Sequence, residues 1–265
     1  MKLSSILLAA GMLLLAPLAS HAQNDSKYGE TEEQQLLCKE ALSVYKSYKK
    51  QKNYDEAYIQ WRKACEVCPE TASEGLYADG TSFIGKEIKK VDAEDPRHAV
   101  LVDSLMYLHD KRMELYPSTK RNPNNRCVVL GRKATDFYKY NKDAHQEAYT
   151  MFKESLDCLG AEASATTLYQ YYTASFYTMK RSFKGDTLAQ SNMRAQMLTD
   201  YLNLVDYIEA GVARATEAGK ERDLKRYEKA KKNVETVFVA IADCDDMVPV
   251  LATAVAADSS NMELK

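Results

Sequence analysis

Residues that bend a backbone sharply are scarce in this chain, with 10 glycines and 6 prolines among 265 residues. That scarcity argues against the many tight turns of a β-sandwich or barrel, and no run of alternating apolar and polar residues is long enough to read as a strand. Charge of one sign is lacking too. Lysine and arginine total 36 against 38 acidic residues, so no global field draws the chain to nucleic acid or to an anionic membrane. After the N-terminus no apolar run approaches the roughly 20 residues that a membrane-spanning helix needs. Glycine-rich phosphate loops are absent. The histidines, His98, His109 and His145 among them, have no partner at metal-ligand spacing, and no acid, base and nucleophile converge on a catalytic set. These absences leave a non-enzymatic protein without cofactor or metal as the expectation.

What the chain does have is helical periodicity. Residues 1–22, MKLSSILLAAGMLLLAPLASHA, carry one lysine, an apolar run and small residues before Gln23, and read as a secretory signal cut after Ala22. The mature chain is expected in the periplasm or outer cell envelope, with no transmembrane segment. Apolar stripes at i, i+3, i+4 and i+7 predict helices over 31–50, 54–68, 72–89, 97–116, 126–141, 144–158, 163–183, 187–216, 220–242 and 246–257. Taken in order they make five antiparallel hairpins of an all-α fold. Pro69 ends the second helix, Asp95-Pro96 opens the fourth, and Asn53 with Glu56 predicts a capping box for the second. The longest loop, around 118–125, predicts a joint between a block at 23–117 and one at 126–265. Gly75, Gly80 and Gly85 recur inside one helix, where close packing is the expectation. The ending DSSNMELK, with N-cap candidates Asp258, Ser259 and Ser260, reads as the start of a further helix in a truncated array. An apolar face around Val248, Leu251 and Val255 would then be left for a partner.

Residues 36–69 supply small residues for close backbone approach, an aromatic wedge and a helix breaker: Tyr48, then Tyr54, Ala57, Trp61, Ala64 and Pro69. The spacing resembles the second half of a tetratricopeptide repeat, and Ala148, Phe152 and Ser155 echo it more weakly. Ala41, Val44 and Tyr45 stand where that family places Trp, Leu and Gly. With its signal, the whole chain is similar to exported tetratricopeptide-like proteins common in Bacteroidetes. The resemblance implies a right-handed superhelical array that binds a protein or peptide of the envelope without catalysis. Lys39, Lys46, Lys49 and Lys50 fall on the face that lines the groove in such repeats and are candidate contacts for an acidic peptide or C-terminal carboxylate; a solvated helix face is the alternative. Tyr171, Tyr172, Phe176 and Tyr177 crowd one helix and support an alternative function, an envelope glycan-binding accessory protein with exposed tyrosines, although at least half should be core.

Six cysteines in an exported chain point to disulfides. The start of the first helix of an antiparallel hairpin lies beside the end of the second, which predicts Cys38–Cys68 and, at nearly the same separation, Cys127–Cys158. Cys65 and Cys244 are left as thiols, free or buried. Cys65-x-x-Cys68 sits at a helix C-terminus, where the dipole raises a thiol pKa, so it reads as structural rather than redox-active. No second cysteine pair stands at the spacing of a zinc site.

Overall fold

A computed structural model describes residues 25–248 and residue 252. The signal region 1–22, most of the predicted last helix, Leu251, Val255 and the DSSNMELK ending lie outside the described residues. Those described are all-helical: α1 Glu32–Lys50, α2 Tyr54–Val67, α3 Glu74–Ile88, α4 Pro96–Leu115, α5 Asn125–Tyr140, α6 His145–Leu159, α7 Ala165–Tyr177, α8 Thr187–Glu217 and α9 Glu221–Val239. None is long and apolar enough to cross a membrane. The helix ends follow local chemistry. Thr31 and Gln34 form a reciprocal capping box on α1, Ser73 and Asp186 cap α3 and α8, and Asp95 caps α4 with Pro96 in its first turn. The box expected on α2 forms by half: Asn53 accepts the Glu56 N–H, while the Glu56 carboxylate turns to Gln60.

Pairing along the chain is antiparallel at several independent points. Cys38 near the start of α1 meets Cys68 at the end of α2 (S–S 2.06 Å), and Cys127 meets Cys158 in the same relation across α5 and α6 (1.98 Å). Glu74 at the start of α3 accepts from Arg112 near the end of α4 at 2.8 Å. After α6 the pattern departs from a plain row of hairpins. α8 pairs with α9, and α7 packs on both, held by Tyr172 donating to the Met197 carbonyl and by Tyr227 of α9 reaching the carbonyl of Ala163. The helix expected over 163–183 is not uniform. α7 widens into a π-type turn over Thr178–Ser182, where the Phe183 N–H bonds the Thr178 carbonyl.

Apolar burial falls into two clusters. One runs from Cys38 to Leu108 on α1–α4 around Tyr45, Trp61 and Phe83; the other runs from Ala134 to Ile241 on α5–α9 around Phe152, Tyr172 and Met197. Between them, where α4 lies on α5, several polar contacts join the two helices beside the packing of Tyr140 against the N-terminal cluster. His109 bonds Asp136 at 2.9 Å, Lys133 bonds Asp110, and Glu74 accepts from both Arg112 and Asn125. The three glycines of α3 do not share one role. A Cβ on Gly80 would sit 2.5 Å from the Trp61 ring and one on Gly75 would crowd Ser73 and Tyr45, but one on Gly85 would meet nothing.

Candidate functional site

α2 packs on α1 and α3, and α4 packs on α3 and α5, so α2 and α4 stand as two walls with α3 between them. The groove they leave has a volume of about 710 Å³. Leu76, Tyr77 and Ile84 of α3 form its floor, Tyr58, Trp61, Arg62, Cys65 and Glu66 its α2 wall, and Val100, Asp103, Ser104, Tyr107 and Leu108 its α4 wall. Each wall follows from a second stripe on its helix. On α2, Ala57, Trp61 and Ala64 are buried, while Tyr58, Arg62 and Cys65 follow at helical spacing one position on. On α4, Val102, Leu105, Leu108 and His109 are buried, while Val100 and Tyr107 remain 64% and 54% exposed. Exposed apolar residues occur elsewhere on the surface, Leu36, Leu188 and Val239 among them; what sets Val100 and Tyr107 apart is that both line one concave channel.

Some polar atoms of the lining are committed to the protein itself. The Trp61 indole N–H donates to the Leu76 carbonyl at 2.7 Å, the Tyr77 hydroxyl to the Glu70 carbonyl at 3.0 Å, and the Ser104 hydroxyl to the Val100 carbonyl at 2.8 Å. Lys111 reaches Glu70 at one end of the groove. Arg62, Glu66 and Asp103 make no ion pair among the described residues.

Cys65 and Cys244 are both free and exposed. Although the Cys65 residue is accessible at the groove mouth, the apolar side chains about its sulfur restrict hydration of a thiolate and Glu66 repels it. Its pKa is pushed up to about 12. At pH 8 only about one thiol in ten thousand would then be ionised. Alkylation of Cys65 by iodoacetamide is therefore expected to be slow at pH 8 and to rise about tenfold per pH unit to beyond pH 10; peptide mapping of the alkylated protein checks this, and a rate that levels off near pH 9 would contradict it.

The remaining sequence candidates are placed as follows. Ala57, Ala64 and Trp61 are buried in the N-terminal core, Tyr48 is half-buried against it, and Pro69 lines the groove. Tyr54 is not packed inside: it is 39% exposed, with the Lys86 ammonium 3.1 Å from its ring centroid. Lys39, Lys46, Lys49 and Lys50 lie on α1 and none lines the α2–α4 groove. The Lys49 ammonium is bonded to Asp79 of α3, that of Lys39 is 5.3 Å from the Tyr28 ring and that of Lys46 is 5.8 Å from the Tyr45 ring, so the row is partly engaged internally. Tyr171 and Tyr172 are core, and Tyr171 donates to Asp200 at 2.5 Å; Tyr177 stacks on His145. At the C-terminal end Val248 is exposed.

Sequence reasoning passed over Tyr58, Glu66, Val100, Asp103 and Tyr107. The available signal was α4 itself, whose apolar residues run nearly all round the helix and exceed what one buried stripe requires. Comparison of the chain with protein-family models, curated proteins and solved structures gives no match.

Proposed function

We propose that this chain is a non-enzymatic binding protein of the cell envelope, exported by its N-terminal signal, and that the α2–α4 groove receives a segment of a protein or peptide partner. The observation that carries this reading is the exposure of Val100 and Tyr107 on the wall of an open groove with a buried aromatic and aliphatic floor. Apolar atoms of this kind gain about 25 cal/mol per Å² when a partner removes them from water. Two disulfide-bonded pairs suit an oxidising compartment outside the cytoplasm. Binding is favoured over catalysis because the one free thiol in the lining is held protonated and two of its hydroxyls, those of Tyr77 and Ser104, are tied to backbone carbonyls. The glycan alternative draws less support: Tyr58 and Trp61 stack, but Trp61 is only 6% exposed and offers no open platform for a sugar ring.

The test is photo-crosslinking in intact cells with a benzophenone amino acid at position 107 or 62, compared with the same residue at position 43 or 229 on exposed faces elsewhere. Discrete protein adducts confined to positions 107 and 62 are expected. Adducts of equal yield at all four positions, or none at 107 and 62, would overturn the assignment.

A further inference from the structure

An extended peptide brings a row of N–H and C=O groups that must find partners once water is stripped away. The α2–α4 groove has little to offer them. Its floor and walls are helices whose backbone groups bond internally, and the Trp61 N–H and the Tyr77 and Ser104 hydroxyls are already donated to backbone carbonyls; what is left, the Tyr58 and Tyr107 hydroxyls, Arg62, Glu66 and Asp103, are isolated side chains and not a continuous row of donors and acceptors. There is no strand among the described residues whose edge could be extended. A helix arrives with its backbone bonds made and presents only side chains. It can therefore enter an apolar channel between two helical walls without stranding polar groups.

Charge adds a second condition. The lining carries three carboxylates, Glu66, Glu70 and Asp103, against one guanidinium, Arg62. Lys111 engages Glu70, while Glu66 on one wall and Asp103 on the other make no ion pair among the described residues. A segment passing between the walls meets a carboxylate on each side.

We infer that the occupant of the groove is a cationic amphipathic α-helix, a partner segment whose apolar stripe fills the floor and whose flanking lysines or arginines meet Glu66 and Asp103. This rests on the groove being the binding site and adds the conformation and charge of what it takes. Rim carboxylates of this kind contribute to selectivity and association rate more than to total affinity, and salt weakens the contribution.

The protein's single tryptophan, Trp61, is nearly sealed beneath the groove, so binding is read instead from the fluorescence anisotropy of a dye on the probe's terminus. Three synthetic probes suffice. Two are hydrocarbon-stapled helices sharing one stripe of leucines, flanked by lysine in one and glutamate in the other; the third is the lysine sequence unstapled and interrupted by prolines. At low salt the stapled lysine probe is expected to bind at least tenfold tighter than either of the others, and the gap between the two stapled probes should close in high salt. The double variant Glu66→Lys/Asp103→Lys, checked for unchanged helicity by circular dichroism, is expected to reverse the order of the stapled pair. Equal affinity of the proline-containing probe would overturn the helical part, and equal affinity of the glutamate probe the cationic part. If no probe binds while crosslinks at position 107 persist, the inference falls and the groove assignment stands. If both fail, both fall.

Discussion

Trp61→Ala is expected to lower the stability of the protein by about 3–5 kcal/mol, the range for emptying a buried large aromatic site. The indole is nearly sealed from solvent. It lies 5.8 Å from the Tyr58 and Phe83 rings between centroids and donates its N–H to the Leu76 carbonyl. It also lies over Gly80, where a Cβ would approach the ring to 2.5 Å and Leu108 to 3.1 Å. That approach gives the prediction a sharper form. In the wild type, Gly80→Ala must push the indole or α3 aside, an overpacking cost of about 1–3 kcal/mol that outweighs the gain of up to about 1 kcal/mol in helix propensity. With Trp61 already cut to alanine the ring collision disappears and only the Leu108 approach at 3.1 Å remains, which that side chain can relieve into the vacated space, so the same Gly80→Ala change is expected to lose most of its cost. Urea denaturation of the four proteins in this cycle measures the coupling. A Gly80→Ala cost that is the same in both backgrounds would show that the ring does not rest on α3.

Removing the Cys38–Cys68 bridge by Cys38→Ala/Cys68→Ala is expected to cost roughly 3–4 kcal/mol through the freedom returned to the unfolded chain. The Cys127–Cys158 pair closes a loop of almost the same length, with a sequence separation of 31 against 30, so its chain-entropy contribution should be nearly identical. The surroundings differ. Cys38 is fully buried in the N-terminal core, whereas Cys158 is exposed, so cutting the first pair also leaves a small packing defect and should be the more costly of the two. Thermal unfolding of both double variants in one buffer tests the order. A first pair less costly than the second would mean that native packing around Cys38 contributes nothing.

Much of the helical layout was legible before the structure, and the reasons are local. Pro69 and Asp95-Pro96 act within one turn of their positions and place the end of α2 and the start of α4 to within about two residues. The two cysteine pairs were legible because antiparallel geometry brings the ends of a hairpin together whatever the details of its packing. The groove was not, because an apolar residue in a helical pattern signals a stripe without saying which of two stripes is covered. Val100 and Val102 are the same residue type two positions apart, yet only Val102 is buried. Lys49 was likewise legible as a cation on α1 but not as the partner of Asp79, which lies 30 residues away. The packing of α7 on α9 includes Tyr227 reaching across 64 residues to the Ala163 carbonyl just before α7, a relation that no window of local pattern contains.

The two covalent loops, residues 38–68 and 127–158, neither overlap nor enclose one another. A chain delivered N-terminus first can therefore lock its first pair of helices before the second pair of partners has emerged, and order of arrival alone favours the native connectivity. The single local rival is Cys65, which appears three residues before Cys68. Once α3 and α4 have closed the groove around Cys65, burial and Glu66 hold its thiol protonated, which limits later exchange with the Cys38–Cys68 bridge.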